Sequence, residues 1–518
     1  MAVRRPAGGN PMTDPARIPV IVGIGEVADR PDTPGRGPIG PEPAALMAEA
    51  LARADADAGG GWLPRLGSLD VVNAVSWPYA DLPARVADLI GHRPARLAYG
   101  PVGGETPVRF LHEAARRIAR GEVGVAALCS GEAEYGAGAA RRAGLSPERD
   151  AIPPWTAPDP AWTNPRVRDY LHPQALRHGL SQPVFVYPLY ETALQAAWGQ
   201  TPRQGRDESA ALWSAMSRVA AQNPHGWLRR SFTAEEIATP SPGNRPIAWP
   251  YLKLMVANPV VNQGAALIVT SLALARAAGL PDRRTVPIGP GAAAAEPRDW
   301  LARDRFDHAP AQDAVLGGTL RRAGLAPADL AAIELYSCFP CVPKMARRRL
   351  GLPGDAVPTV AGGLTFFGAP LNGYMAHAAC AMVRTLRAAP GAAGLLYGQG
   401  EFVTKHHALV LGGPARVPAD EAMSVQDEAD HRRGPVPPVV ADASGRAALE
   451  THTVLFDREG APQKGVVVLR RGLARLLARV PAADRATLGL LTDLDRSPVG
   501  LDGTLRMAAD GLLEWEAA

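Results

Sequence analysis

The sequence predicts a layered α/β protein built from two copies of one unit. Residues 66 to 135 and 325 to 403 follow a common plan, strands alternate with helices through both, and a glycine-rich turn precedes the long helix of each. At 518 residues the chain exceeds one ordinary core, and 47% hydrophobic with 20% charged residues is the composition of a folded protein.

Each half opens with a short buried strand, residues 70 to 75 in the first and 331 to 336 in the second, which runs into Trp77-Pro78 or Phe339-Pro340. A basic amphipathic helix follows, then the glycine turn, at 99 to 104 and 366 to 373. Ala-rich helices are expected from about 106 to 120 and 372 to 388, each leading to a hydrophobic strand that ends in a Gly-Glu pair. A helix N-terminus presents unpaired N–H groups and a positive dipole end, which suits an oxyanion or phosphate. The same glycines would also serve simply to permit tight turns and close packing. Thr106 is the expected cap of the first helix and Pro107 its first residue.

Charge narrows the partners. The 55 Lys and Arg nearly cancel the 51 Asp and Glu, so no electrostatic footprint asks for nucleic acid or an anionic membrane, and a small molecule is the expected partner. Four cysteines, Cys129, Cys338, Cys341 and Cys380, are too few for a disulfide framework and fit a reducing compartment. No apolar run follows Arg4-Arg5 and none approaches the roughly 20 residues of a membrane span, so a cytoplasmic protein is expected, with residues 1–16 a disordered leader. Cys338 and Cys341 have the spacing of redox and zinc sites, yet no second ligand pair follows, so no metal site is expected.

The second half carries the marks of a known family. Tyr336-Ser337-Cys338-Phe339, Gly368-Ala369-Pro370-Leu371 and the strand Leu395 to Gly400 resemble the motifs of the thiolase superfamily, whose fold is a duplicated βαβαβαββ unit in five layers. Gly103-Gly104-Glu105-Thr106-Pro107, Tyr187-Pro188-Leu189-Tyr190-Glu191, Asn244-Arg245-Pro246 and Thr404-Lys405-His406 resemble, more narrowly, thiolase-like proteins of type 1. That branch is related to the sterol-carrier-protein-type thiolases and often labelled acetyl-CoA acetyltransferase. The resemblance implies thiolase halves at 17–135 with 258–284 and at 285–415, and a loop domain at 136–257. It also implies a linker at 416–438 and an additional β-rich, OB-like domain at 439–518. A hairpin at 448–471 supports the last.

A thiolase acylates one cysteine, uses a second as acid/base, and polarises thioester oxygens with histidines and backbone N–H groups. By the same resemblance the nucleophile position is Gly104, or Gly103 with a one-residue slip. The histidine of Gly-His-Pro-Leu is Ala369, and the second cysteine falls near Gly398 or Gly400. The resemblance therefore implies a protein of the acyltransferase family, connected to lipid metabolism, that binds acyl-CoA without ordinary thiolase chemistry and needs no tightly bound cofactor. Gly103, Gly104, Asn372, Tyr374 and Lys405 are its candidate substrate-binding residues, and Tyr336 and His406 its candidate catalytic ones. Tyr336 reads either as a phenol that donates a hydrogen bond or, with a lowered pKa, takes a proton, or as a ring that fills volume. His406 reads as a group titrating near neutral pH or as a satisfied strand-edge histidine.

Three functions follow as alternatives: an acyl-CoA-binding acyltransferase relative, a retro-aldol lyase on hydroxyacyl-CoA with the β domain acting in cis, and a non-catalytic binding scaffold. A homodimer is expected from thiolase relatives. Trp155, Trp162 and Trp198 are candidates for an apolar lid, and Arg229, Arg230 and Arg245 for nucleotide phosphates, although such residues more often form core and solvated surface.

Overall fold

The structure, a computed structural model, describes residues 14–35, 37, 39–145, 166–413 and 422–518. Short strands rich in Val, Ile, Leu and Ala, buried on both faces, are what a helix-covered sheet requires. The first half supplies β1 (Pro19–Ala28), β2 (Ser68–Val71), β3 (Arg96–Tyr99) and β4 (Val125–Ala133). Two short strands of the loop region, β5 (Pro246–Ala248) and β6 (Tyr251–Leu252), precede β7 (Asn262–Ser271), which completes that half. The second half supplies β8 (Val286–Ala295), β9 (Leu330–Leu335), β10 (Ala393–Gly400) and β11 (Lys405–Gly412).

The strand order is β3-β2-β4-β7-β1-β8-β11-β10-β9. Reading outward from the β1–β8 seam, each half shows two antiparallel pairings and then a parallel one: β1/β7, β7/β4, β4/β2 against β8/β11, β11/β10, β10/β9. The duplication read from the sequence is thus a duplication of topology. β3 has no matching strand in the second half. There, Leu335 N–H donates to the carbonyl of Pro358 (2.9 Å), and a proline cannot return a donor to a ladder.

The Ala-rich helices Thr106–Ala119 and Tyr374–Ala388 lie against each other and against strands of both halves, which makes them the central layer. Pro43–Asp57 covers the outside of the first half and Pro310–Ala323 that of the second, giving five layers. Close approach depends on missing side chains: a Cβ on Gly264 of β7 would stand 2.7 Å from the Leu46 carbonyl of the outer helix.

At the C-terminus β12 (Gly445–Phe456), β13 (Pro462–Arg471), β14 (Ala474–Pro481), β15 (Asp502–Met507) and β16 (Leu513–Ala517) close a barrel in the cycle β12-β13-β14-β16-β15-β12. The β14/β16 contact is parallel and helix Arg485–Leu491 sits between β14 and β15, the arrangement of an OB-type fold. Ala248 of β5 pairs with Leu455, so the loop region extends the barrel sheet. Within that region Pro183–Ala197 and Pro202–Gln222 are the long helices.

The stretch read as a linker is partly packed structure. Ala293 N–H donates to Met423 O (2.8 Å), helix Gln426–Arg432 follows, and Arg433 pairs with the buried Glu296 (2.9 Å). Polar composition suggested a tether, but these polar groups are spent on the open edge of β8.

Arg475 joins barrel to body. Fully buried, it donates to Glu450 (2.7 Å) and to the carbonyls of Leu301 (2.8 Å), Arg303 (2.5 Å) and Asp304 (3.1 Å). Arg475→Met removes a buried charge that three carbonyls and a carboxylate depend on, and should cost about 3–5 kcal/mol. Thermal denaturation checks this, and an unchanged Tm would show that the docking does not rest on Arg475.

Candidate functional site

The first glycine turn sits where the central helix Thr106–Ala119 meets the ends of β9, β10 and β11. The cap differs by one residue from expectation. Thr106 opens the helix with its hydroxyl donating to Pro101 O (3.0 Å), and Glu105 stands in the cap position. Gly103 has φ of 156°, and a Cβ there would meet the Glu105 carboxylate. Gly103 N–H donates to Asn372 Oδ1 (2.9 Å), whose amide donates to Asn73 O (3.1 Å). Lys405 Nζ donates to Val102 O (2.7 Å) and pairs with Glu401 (3.0 Å). Asn372 and Lys405 therefore converge on the turn, and both hold its backbone.

Tyr336 lies directly against Gly104. A Cβ built on Gly104 would stand 2.5 Å from the Gln399 carbonyl oxygen and closer still to the phenol. The ring is buried and no side-chain hydrogen bond holds its hydroxyl. Burial pushes the phenol well above its ordinary pKa of 10, so the lowered value that proton abstraction would need is absent, and the hydroxyl is a donor.

Two other candidates are engaged elsewhere. Tyr374 packs edge-on against Tyr336 at 6.0 Å, but its hydroxyl donates to Glu334 (2.7 Å) and accepts from Gly363 N–H (3.0 Å). Glu334 also accepts from Val360 and Ala361 N–H, so Tyr374 belongs to the brace of the 359–363 loop. His406 is buried, with Tyr397 Oη 2.7 Å from Nδ1 and Val403 O 3.2 Å from Nε2. Desolvation lowers its pKa to about 4, so it is neutral at physiological pH with both nitrogens occupied. These contacts are those of a satisfied strand-edge histidine, and they do not favour a group titrating near neutrality.

Glu105, which sequence reasoning passed over, is a further titratable group at the turn. It lines a cleft of about 380 Å³ together with Arg109, Lys405, His406 and His407. The side chain is buried and its Oε2 has no hydrogen-bond partner. Burial raises its pKa to about 7, against the opposing pull of Lys405. Gly400 makes the room, since a Cβ there would overlap the carboxylate. Only the position of a Glu after two glycines at a helix start hinted at this, through the anion-favouring end of the dipole.

The β10–β11 turn bordering the site holds two non-glycine residues at positive φ, Glu401 at 56° and Val403 at 58°. Such strain persists where surrounding contacts over-determine it. Arg298 clasps the Glu401 carboxylate (2.9 and 2.5 Å), Tyr187 Oη donates to Glu401 O (2.6 Å), and Tyr190 Oη donates to Phe402 O (2.8 Å). Arg303 donates to Val403 O.

None of the four cysteines stands at the turn. All are buried with thiols pushed up by desolvation, Cys338 to about 12. Cys338 lies 3.6 Å from Gln399 Oε1, and among the described residues no three His, Cys, Asp or Glu are grouped to hold a metal ion. Trp198 stacks under Arg348 at 3.5 Å and so packs on helix Cys341–Leu350, away from a lid role; Trp155 and Trp162 lie outside the described residues. Arg229, Arg230 and Arg245 bond to Pro224 O, Glu236 and Asp457 O and converge on no common site. No described helix is long and apolar enough to cross a membrane.

The family model of the thiolase-like protein type 1 additional C-terminal domain matches residues 425–511. No curated protein matches the chain. Among solved structures, a monomeric SCP2-thiolase like protein type 1 from Mycobacterium smegmatis is 28% identical, with TM-score 0.81 over 98% of this chain and 100% of that one. An Ltp2-ChsH2(DUF35) aldolase is 21% identical, with TM-score 0.56 over 76% of this chain and 98% of that one. The dimeric peroxisomal thiolase of Saccharomyces cerevisiae is 12% identical, with TM-score 0.53 over 77% and 98%. The chain is a thiolase-fold protein that resembles thiolase-like protein type 1 and carries the additional C-terminal domain of that type.

Proposed function

We propose that the chain binds an acyl-CoA thioester beside the Gly103-Gly104 turn and handles it without a covalent acyl-enzyme. One observation carries this: the Tyr336 phenol fills the space that a side chain at 104 would take, so a thiol has no place there. With Gly103 N–H spent on Asn372, the Gly104 N–H and the Tyr336 hydroxyl are the donors that a thioester oxygen would meet. By the same resemblance Ala369 stands at the histidine position and the second cysteine falls near Gly398 or Gly400, which supports a site without the partners that a cysteine nucleophile uses.

Glu105 favours a second reading, retro-aldol cleavage of a 3-hydroxyacyl-CoA. Its unpaired carboxylate would take the β-hydroxyl proton as the Cα–Cβ bond breaks to give a free carbonyl compound. The electron pair passes to the thioester as an enolate, held by Tyr336, and a proton returns to Cα. The fold shared with a protein named as an aldolase is compatible with this reading, and the fused barrel would act in cis.

Isothermal titration should show saturable binding of an acyl-CoA, and no heat from coenzyme A or any acyl-CoA across a chain-length panel would end the first reading. Binding without product would favour the non-catalytic scaffold. For the second, turnover of 3-hydroxyacyl-CoA should rise with pH through about 7 as Glu105 loses its proton. Glu105→Gln should lower it about 100-fold or more and abolish that limb; an unchanged pH profile would dismiss Glu105 as the base. Gly104→Ala should cost about 1–3 kcal/mol of stability through overpacking. Adding Tyr336→Ala should return part of that loss, and strict additivity in the double-mutant cycle would show the two sites do not touch.

A further inference from the structure

A second cleft lies along β1 and shares no lining residue with the cleft at Glu105. β1 pairs with β7 along its length but with β8 only at Val20 and Ile21. Beyond Ile21 no strand among the described residues pairs with its other edge, and a bare edge invites pairing with another chain. Side chains take the strand's place. Arg387 donates to Val22 O (2.8 Å), Ile24 N–H donates to Asp57 Oδ2 (3.0 Å), and Arg53 donates to Glu26 O (2.6 Å).

These side chains, with Arg284, Arg384 and His225, wall a cleft of about 430 Å³. Four guanidinium groups meet two carboxylates there, both already committed, and Arg53 also pairs with the exposed Glu49. Glu26 is buried and accepts from Arg384 (2.5 Å), while its other oxygen contacts His377 Nδ1 (2.7 Å). Asp57 is shared by Arg284 (2.8 Å), Arg387 (2.7 Å) and the Ile24 N–H. Arg284 spends only Nη2 on these contacts and Arg384 only Nη1, and their side chains are 40% and 39% exposed. Guanidinium N–H groups therefore remain in excess at a rimmed opening, in the fork geometry that matches phosphate oxygens.

We propose that this cleft binds a phosphate-type oxyanion, with room for a diphosphate, through the free N–H groups of Arg53, Arg284 and Arg384. The ligand is either a free inorganic anion or the diphosphate end of a nucleotide, and the site is independent of the thioester reading.

The test is titration calorimetry of the full chain with inorganic phosphate, pyrophosphate and ADP at low and high salt. One saturable site is expected, tighter for pyrophosphate than for phosphate, weakening as sodium chloride rises. ADP binding at least as tightly as pyrophosphate would identify a nucleotide end as the source, and pyrophosphate alone an inorganic one. The double variant Arg53→Gln, Arg284→Gln spares the Arg384 bond to buried Glu26 and should weaken pyrophosphate about tenfold or more. Arg53→Gln alone, whose side chain is 48% exposed, serves if the double variant does not fold, and should weaken it in the same direction. Absence of saturable binding by all three anions, or equal affinity in the folded variants, overturns the proposal.

Discussion

The site depends on the forced conformation of the β10–β11 turn. Glu401 and Val403 are held where side chains are disfavoured, and the restraint comes from outside the strands that the turn connects. Arg298 and Arg303 reach in from the segment after β8, and Tyr187 and Tyr190 from helix Pro183–Ala197. Released from those contacts, the turn would no longer place the Gln399 carbonyl against Gly104, nor Lys405 and the Gly400 gap around Glu105. The surroundings of the helix N-terminus are therefore supported through the loop region.

That support extends to the barrel. Arg475 grips the backbone at 301–304, next to the residue that holds Val403. Thr451 of β12 donates to Leu189 O and lies 2.6 Å from Thr192 Oγ1, on the helix that carries Tyr187 and Tyr190. The barrel thus braces both sets of residues that restrain the turn. It touches the site at second hand, which agrees with its lack of the interleaved basic and aromatic pattern that nucleic-acid-binding barrels use.

Much of the fold was legible because its signals are local. Two glycine turns, two Ala-rich helices and buried strands at matching intervals describe the repeat without knowledge of any long-range contact. The candidate site was legible in part, since Asn372, Lys405 and Tyr336 do meet Gly103 and Gly104. What escaped was set by distant partners. Burial under Gly400, nearly three hundred residues away in the chain, raises Glu105 toward neutrality against the opposing pull of Lys405. Nothing around His406 in sequence shows that Tyr397, across the hairpin, closes off its Nδ1. The 422–433 stretch reads as a tether because polarity alone does not tell a solvated segment from one that satisfies a strand edge.

Fusion of the barrel to the body has a further consequence. A brace supplied by a separate subunit would come and go with dilution, leaving a population whose turn had relaxed. Carried on the same chain, the barrel meets its docking surface at an effective concentration fixed by the connecting segment, and its ratio to the body is always one to one. The strained turn is then insulated from expression level and from competition by other barrels.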